Sequence, residues 1–400
     1  MRRYYFVSVP IVLMMLCATA KAQNNPFVVG NIEQFHSKIL GEQRTLFVHV
    51  PRGGKNQKYP VLYLLDGGGF FPLAVSILKL DDGLLPKMIV VGVANRQHRT
   101  RDLTPGAYRD LRGSGGGEKF TQFIEKELIP YIDGKYATRA YRTLVGYSLG
   151  GLLAANTLVN HTNLFDNYIL IDPSLRRDKA LQRKLFKGLK TRGKYAGKSA
   201  FLAIANTIEG VTTGVDTSNV MQDKSSFTRH MRAGLKLAKV ATHQNQSDLR
   251  FAWRYYPNES HSSVPYSAIY HGLRAVFSWY KMDPYDLAKA QNRKTSLKTV
   301  LSIFHNYYAM LSKRFGYQVL PEENYLNSLG YMFLETKQPE RAKAFFQMAI
   351  EYYPQSANVY DSMADYYIAQ KDRKNALSHL EKAYKISGDP FHKNRIDKLK

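Results

Sequence analysis

The amino-acid sequence predicts two structural units: a three-layer α/β sandwich with a mostly parallel sheet, followed by an all-α unit. Short apolar runs of strand length alternate with helical patterns through about residue 281, which is the order expected of a sheet covered by helices. The strand-like runs stop near residue 283. A pattern that recurs after 34 residues fills much of the remaining chain, and such self-similarity is typical of helical repeats.

The first 22 residues have the pattern of a cleaved export signal. Arg2 and Arg3 precede an apolar stretch at 6–18, and residues 20–22, Ala-Lys-Ala, fit a small-x-small cleavage site. The apolar stretch is shorter than the roughly 20 residues that a membrane-spanning helix needs. We therefore expect a periplasmic or secreted protein without a transmembrane segment.

Cysteine content and charge exclude several classes of function. The single cysteine, Cys17, lies in the leader, so the rest of the chain has no thiol for disulfides, thiolate catalysis or metal binding. The net charge is +25, but the basic residues are spread along the chain and no nucleic-acid-binding motif accompanies them. We expect no nucleic-acid partner, and the charge instead favours acidic substrates or anionic surfaces.

The elements of the first unit, residues 23–282, follow from the hydrophobic pattern. Alternating residues predict two antiparallel strands at the start, and continuous apolar runs predict central parallel strands buried on both faces. The predicted strands are 32–37, 45–50, 60–66, 87–93, 143–145, 167–172, 200–205 and 250–256. The predicted helices are 120–132, 150–160, 224–241 and 263–281.

The second unit, residues 283–400, contains two tetratricopeptide-like repeats, at 323–356 and 357–390. Equivalent positions keep small or apolar side chains; for example, Gly330 and Ala364 allow paired helices to approach closely. The segments 296–311 and 391–399 are expected to cap the pair, because two repeats alone expose apolar faces. We expect the repeats to have a core of their own and to bind a protein, a peptide or a second copy of the chain.

Residues 146–150, Gly-Tyr-Ser-Leu-Gly, form the pattern G-x-S-x-G between a predicted strand and a predicted helix. In that context a sharp turn holds the serine hydroxyl exposed at the carboxyl end of the sheet. Gly146 and Gly150 leave room for the strand and the helix to pass each other. Because a serine hydroxyl is a weak nucleophile until a base accepts its proton, Ser148 needs a histidine.

His261 is the predicted base. The order serine, acid, histidine places the base late in the sheet unit, and the candidates are His161, His230, His243, His261 and His271. Among them, His261 lies in the loop between the last predicted strand and the last predicted helix. That loop opens at the same edge of the sheet as Ser148.

The third member of the site should be a carboxylate that orients the imidazole and stabilises its charged form. Glu209, just past the strand 200–205, is the preferred candidate. Asp216, further along the same loop, and Glu259, two residues before the histidine, are the alternatives.

Backbone amides are expected to form an oxyanion hole beside Ser148. One donor is the N–H of Leu149, at the start of the helix after the serine. The other is the N–H of Gly68 or Gly69, in the glycine run that follows the strand 60–66. No cofactor is expected, and no metal site, because the remaining histidines lack carboxylate neighbours at ligand spacing.

Five blocks in order carry a family resemblance: YPVLYLLDGGG, IVVGVANRQHRTRDLTP, VGYSLGG, ILIDPSL and YYPNESHSSVP. Together they resemble the putative-esterase family of α/β hydrolases, which includes siderophore esterases, esterase D-like enzymes and feruloyl esterases. The resemblance covers roughly residues 27–281 and implies Ser148 as nucleophile, His261 as base and an acid in the loop beginning near Asn206.

Together, these observations predict an exported serine hydrolase that cleaves small-molecule carboxylic esters through an acyl-enzyme. Two alternatives use the same site: a siderophore trilactone esterase and an acyltransferase. A third alternative is a non-catalytic interaction protein that works through its repeats. The intact Ser148, His261 and glycine run argue against that last alternative.

Overall fold

The computed structural model describes residues 28–53, 57–80, 83–208 and 214–400. The leader predicted at 1–22 lies outside these ranges, so it stays a prediction. None of the described helices is both long enough and apolar enough to cross a membrane.

Eight strands form one sheet in the described part of the chain. They are β1 (Asn31–Ser37), β2 (Glu42–His49), β3 (Tyr59–Leu65), β4 (Ile89–Val93), β5 (Thr138–Tyr147), β6 (Asn167–Ile171), β7 (Ser199–Ala205) and β8 (Arg250–Tyr256). Their order is β1-β2-β4-β3-β5-β6-β7-β8. The β1–β2 and β2–β4 pairs are antiparallel and all the others are parallel, as predicted.

Within the described ranges, eight α-helices accompany these strands. They are α1 (Gly67–Leu80), α2 (Arg99–Asp102), α3 (Gly117–Phe123), α4 (Ile129–Lys135), α5 (Leu149–Asn160), α6 (Lys179–Lys190), α7 (Arg229–His243) and α8 (Val264–Val276). A π-helical turn, Ile124–Leu128, joins α3 to α4, so the helix predicted at 120–132 is a composite. A short 3₁₀ turn, Leu175–Arg177, follows β6.

The sheet is buried between two layers of helices. Every residue of β3, β4, β6 and β7 is buried, which is why these strands appear in the sequence as continuous apolar runs. One apolar cluster joins the sheet to α3 through α7, and the other joins its opposite face to α1 and α8. The predicted three-layer α/β sandwich is therefore confirmed.

Helices alone follow β8 and α8 in the chain. They are α9 (Pro284–Gln291), α10 (Leu297–Phe315), α11 (Glu323–Glu335), α12 (Pro339–Tyr352), α13 (Ala357–Ala369), α14 (Arg373–Ser387) and α15 (Pro390–Leu399). The pairs α11–α12 and α13–α14 are the two predicted repeats. A Cβ at Gly330 would lie 2.4 Å from the ring of Phe346, so a glycine allows α11 and α12 to pack this closely.

Helix α10 contributes side chains to two apolar cores. Val300 and Phe304, in its first half, are buried with the repeats. Leu311 and Phe315, near its end, are buried with α1, α8 and the sheet. The ring centroid of Phe315 lies 4.9 Å from that of Tyr141 on β5. The repeats therefore have an apolar core of their own, and the cap helix α10 also covers the sandwich.

Candidate active site

Ser148 lies on a strained turn between β5 and α5. Its φ is 57° and its ψ is −111°, a backbone conformation that residues with a side chain rarely adopt. A Cβ at Gly146 would lie 2.2 Å from the carbonyl oxygen of Gly150, so the strand and the helix can cross only with glycine at that position. This turn places the serine at the carboxyl edge of the sheet, as the motif predicts.

Ser148, His261 and Asp172 form a continuous chain of hydrogen bonds. The Oγ of Ser148 lies 3.0 Å from Nε2 of His261. The Nδ1 of His261 lies 2.6 Å from Oδ2 of Asp172. Because a carboxylate can only accept, Nδ1 carries the proton and Nε2 is left to accept from the serine hydroxyl. The structure thus brings together the predicted serine and histidine, with a carboxylate that the sequence analysis did not select.

The acid predicted from the sequence requires correction, because Asp172 already occupies Nδ1 of His261. Glu209 lies outside the described residues. Asp216 is exposed and its carboxylate accepts hydrogen bonds from Ser218. Glu259 instead accepts a hydrogen bond from Ser267 on α8. Neither of these two alternatives bonds to the base.

The predicted acid lies one strand too late in the chain. Asp172 follows β6 directly, whereas the predicted position of the acid is after β7. The residue directly follows the apolar run Ile-Leu-Ile and therefore resembles the end of a strand. An acidic residue ending the strand beside β5, at the same sheet edge as Ser148, was the available signal.

Asp172 is buried and ionised. Its side chain is 3% exposed, and its own φ is 39°. Its Oδ1 accepts from the backbone N–H of Ala205 at 3.1 Å. Burial alone raises the pKa of its carboxyl group, but hydrogen bonds from His230 and His261 outweigh burial and lower this pKa to about 2. The charge that stabilises a protonated His261 is therefore permanent at neutral pH.

His230 is a site residue that sequence reasoning missed. Its Nε2 lies 3.0 Å from the same Oδ2 of Asp172, and its side chain is 14% exposed. The other histidines have different environments: His161 pairs with Glu118, and His271 contacts the hydroxyl of Tyr256. The helical pattern of α7 suggests a surface position for residue 230. Only the packing of α7 on the sheet brings the first turn of this helix, and with it His230, to Asp172 at the end of β6.

The glycine run after β3 forms the first turn of α1, beside the serine turn. The N–H of Gly69 donates to the carbonyl oxygen of Asp66 at 3.0 Å, so it is already used, and the assignment of Gly69 as an oxyanion donor is corrected. Gly68, in the same turn, stays the candidate from this run. Leu149 begins α5, where the backbone N–H groups of the first helical turn have no partner within the helix.

Aromatic rings line one side of the site. The ring of Tyr147 lies 4.9 Å from that of His261, and Phe70 contacts Tyr147 edge-on at 5.8 Å. Tyr266 continues this row at 6.5 Å from Phe70 and is 61% exposed. Aromatic faces of this kind pack against apolar and aromatic parts of a ligand.

Two arginines, Arg176 and Arg177, follow Ser174 in the chain. The Oγ of Ser174 is 3.3 Å from that of Ser148. Burial, together with the charges of Arg177 and Arg229, lowers the pKa of Arg176. Of these, Arg177 pairs with Asp110 at 2.7 Å.

Within the described ranges, one group of three or more ligand-type side chains could hold a metal ion: Asp172, His230 and His261. Their ligand atoms all lie within 4.8 Å of one another. Nδ1 of His261 is hydrogen-bonded to Oδ2 of Asp172, and Nε2 of His230 lies 3.0 Å from the same oxygen. The expectation of no metal stays a prediction.

A nucleophile turn between a central parallel strand and a helix, with a histidine after the last strand, defines the α/β-hydrolase class of folds. Within that class, the chain belongs to the "Putative esterase" family, whose profile matches residues 37–292. A tetratricopeptide-repeat profile matches residues 323–356 and 357–390, so the two predicted repeats are confirmed. The division between units at 282 and 283 stays a prediction.

Several similar proteins act on siderophores according to their names. The chain is 29% identical over 181 residues to ferri-bacillibactin esterase BesA of Bacillus subtilis, covering 39% of this chain and 63% of that protein. It is 27% identical over 169 residues to the siderophore triacetylfusarinine C esterase of Aspergillus fumigatus, covering 38% and 58%. The matches therefore span about three fifths of the length of these curated relatives.

A solved structure gives a longer match. The IroE-like serine hydrolase from Shewanella oneidensis superimposes with a TM-score of 0.64 and 29% sequence identity. The superposition covers 81% of this chain and 99% of that one. These comparisons confirm the family resemblance that the five sequence blocks indicated.

Proposed function

We propose that this protein is a serine esterase that hydrolyses carboxylic esters through an acyl-enzyme. Ser148 is the nucleophile, His261 the general base and Asp172 the acid. The observation that carries the proposal is the hydrogen-bond chain from Ser148 through His261 to Asp172, built on a strained turn at the carboxyl edge of the sheet. Membership of an esterase family supports the same reaction class.

Acylation begins when Nε2 of His261 accepts the proton of the Ser148 hydroxyl. The serine oxygen attacks the ester carbonyl, and the carbonyl oxygen becomes negatively charged. The N–H groups of Leu149 and Gly68 are the donors that we assign to this oxyanion. When the intermediate collapses, the bond to the alcohol oxygen breaks and His261 returns the proton to that oxygen.

Deacylation repeats these steps with water. His261 removes a proton from a water molecule, whose oxygen attacks the acyl carbonyl. Collapse releases the carboxylic acid and returns the proton to Ser148. In both halves Asp172 keeps Nδ1 protonated and stabilises the imidazolium that forms.

Within this class we propose an ester of an iron-binding siderophore as the substrate. The names of two relatives support this class of ester. The aromatic row of Phe70, Tyr147 and Tyr266 suits flat aromatic groups. The net charge of +25 suits a ligand with negative charge. An acyltransferase would use the same chemistry with an alcohol in place of water.

Export and partner binding are further parts of the proposal. The leader pattern at 1–22 supports a periplasmic or secreted protein. The repeats support binding of a protein or peptide, or self-association, because tetratricopeptide arrays present extended surfaces. Ile368 on α13 and Phe391 on α15 are large apolar side chains exposed in this region.

One set of assays tests the proposed reaction. Purified wild-type protein should hydrolyse short chromogenic esters or ferric siderophore esters and should react with a fluorophosphonate probe. Ser148→Ala should fold normally, lose the label and lose about 10⁴- to 10⁶-fold in kcat. Labelling of a different serine, or hydrolysis that survives in Ser148→Ala, would overturn the assignment.

A further inference from the structure

We propose that His230 is a positioning residue for ester hydrolysis, which holds the carboxylate of Asp172 in the orientation that His261 requires. The inference rests on the proposed function, because it assigns a role within that site. It concerns the residue behind the acid and not the identity of the nucleophile or the substrate.

The carboxylate of Asp172 is held from three directions. Its Oδ1 accepts from the N–H of Ala205 at 3.1 Å. Its Oδ2 accepts from Nδ1 of His261 at 2.6 Å, and Nε2 of His230 lies 3.0 Å from the same oxygen. The two imidazole rings meet edge to face at 85°, with centroids 5.3 Å apart. Each ring thus reaches Oδ2 without displacing the other.

The need for a second donor follows from where Asp172 lies. The residue has a φ of 39°, beyond the end of β6, and its side chain is 3% exposed. A buried carboxylate is costly unless hydrogen bonds replace its lost water. Without His230, Oδ2 would depend on His261 alone, the ring whose charge changes during the reaction. The bond from His230 keeps Oδ2 in place while His261 gains and loses a proton.

His230 is itself held firmly by its helix. It lies in the first turn of α7, and the side chain of Arg232 donates to the carbonyl oxygen of Ser225 at 2.7 Å, before the helix. A Cβ at Gly234 would lie 3.3 Å from Ile204, so α7 packs closely on β7 at this point. The imidazole of His230 is therefore presented by a rigid element, as a positioning group must be.

The role predicts a specific pattern of kinetic change. His230 contacts Asp172 directly and reaches the serine only through Asp172 and His261. Loss of its donor should lower kcat about 10- to 100-fold and leave KM within about twofold, less than the roughly 10⁴-fold cost of losing the acid itself. A purely structural role would instead lower the amount of folded protein without changing the turnover of the folded fraction.

The test compares substitutions that differ in their donor. His230→Met and His230→Ala remove the donor, whereas His230→Gln keeps an N–H donor at a similar reach. We expect low kcat in the first two and recovery to within a few fold of wild type in His230→Gln, with active sites counted by fluorophosphonate titration. His243→Met, at the exposed end of the same helix, is the matched control and should behave as wild type.

Three outcomes would overturn the proposal. One is an unchanged kcat in His230→Met or His230→Ala, and another is failure of His230→Gln to recover. The third concerns the wild type and needs no variant: ¹⁵N spectra of labelled histidines should show a proton on Nε2 of His230, and an unprotonated Nε2 at neutral pH would contradict the donor role. Failure of the proposed function would look different, since wild type itself would then be inactive or unlabelled at Ser148.

A chelator separates this role from metal binding. Dialysis against EDTA should leave wild-type kcat unchanged, because the contacts to Oδ2 are hydrogen bonds. If activity falls and Zn²⁺ restores it, the group formed by Asp172, His230 and His261 is a metal site and the positioning role is wrong.

Discussion

The guanidinium group of Arg99 forms a two-point ion pair with the carboxylate of Asp66, Nε to Oδ1 and Nη2 to Oδ2, each at 2.9 Å. The same Nη2 donates to the carbonyl oxygen of Tyr147, immediately before the serine, at 3.3 Å. Asp66 immediately precedes the glycine run of α1. Arg99 therefore links the turn that carries Gly68 to the turn that carries Ser148.

Substituting Arg99 tests whether this link fixes the oxyanion hole. Arg99→Met should lower kcat about 10-fold or more, short of the roughly 10²- to 10³-fold cost of removing an oxyanion donor outright. Arg99→Lys should fall in between, because an ammonium group cannot bond both carboxylate oxygens and Tyr147 in the same way. Steady-state kinetics on a short chromogenic ester give the measurement. Arg395→Met, which breaks the ion pairs with Asp361 and Asp365 in the repeats, is the control, and equal effects from both would contradict the link.

Substituting Asp172 tests the corrected acid. Asp172→Asn keeps the shape of the side chain but removes the charge and permits the wrong tautomer of His261, so kcat should fall by about 10⁴. Asp216→Asn, Glu259→Gln and Glu209→Gln are matched controls that should cost less than about tenfold. Single-turnover kinetics on each purified variant decide the matter. A nearly full-activity Asp172→Asn enzyme, or a larger loss in one of the controls, would show that another carboxylate is the acid.

Asp172 should also make stability depend on pH in the acid range. Its pKa in the folded protein is about 2, below the ordinary value of 3.8, because the bonds from His230 and His261 outweigh burial. A carboxyl group with a lowered pKa stabilises the fold above its unfolded-state pKa, and this contribution is lost as pH falls toward the folded-state pKa. We expect the unfolding free energy of wild type to fall by about 2 kcal/mol relative to Asp172→Asn between about pH 5 and about pH 2. Urea titrations at intervals of pH measure this difference, and parallel curves for the two proteins would exclude it.

Truncation tests the double role of α10. A chain ending after Asp283 loses Leu311 and Phe315 and exposes the rings of Tyr141 and Trp279 against which Phe315 packs. We expect that chain to aggregate or to melt at a markedly lower temperature, since removing one buried phenylalanine side chain already costs about 3 to 5 kcal/mol. A chain ending after Leu320 keeps α10 and should retain esterase activity. Equal solubility and activity of the two truncated chains would show that the sandwich does not need α10.

The part of the site that could be predicted is the part encoded locally. Ser148 could be predicted because its turn needs glycines at fixed spacing. His261 could be predicted because chain order places the base after the last strand. Asp172 and His230 could not be predicted from the sequence. Asp172 appears there as the end of an apolar strand, and His230 appears as a polar position on an amphipathic helix. Their roles depend on how β6 and α7 meet in three dimensions, which residue spacing does not encode.

The same limit applies to the fold. Continuous apolar runs predicted the buried strands closely, and the 34-residue period located the repeats. The repeat pattern describes how helices pack on their own neighbours, so it carried no signal that Leu311 and Phe315 of α10 pack against the sandwich. Contacts between units depend on the shapes of the surfaces that meet. Neither the apolar strand pattern nor the 34-residue repeat contains information about those shapes.

The double role of α10 has an evolutionary consequence. A recombination event that joined new repeats at the point where the strands stop would remove side chains that the sandwich requires. A junction after Gly316 would preserve Leu311 and Phe315. The incoming repeats would then have to pack against Val300 and Phe304, which lie on the retained helix α10. The two units are therefore expected to be inherited together, and exchange of the repeats alone would demand matching changes in a single helix.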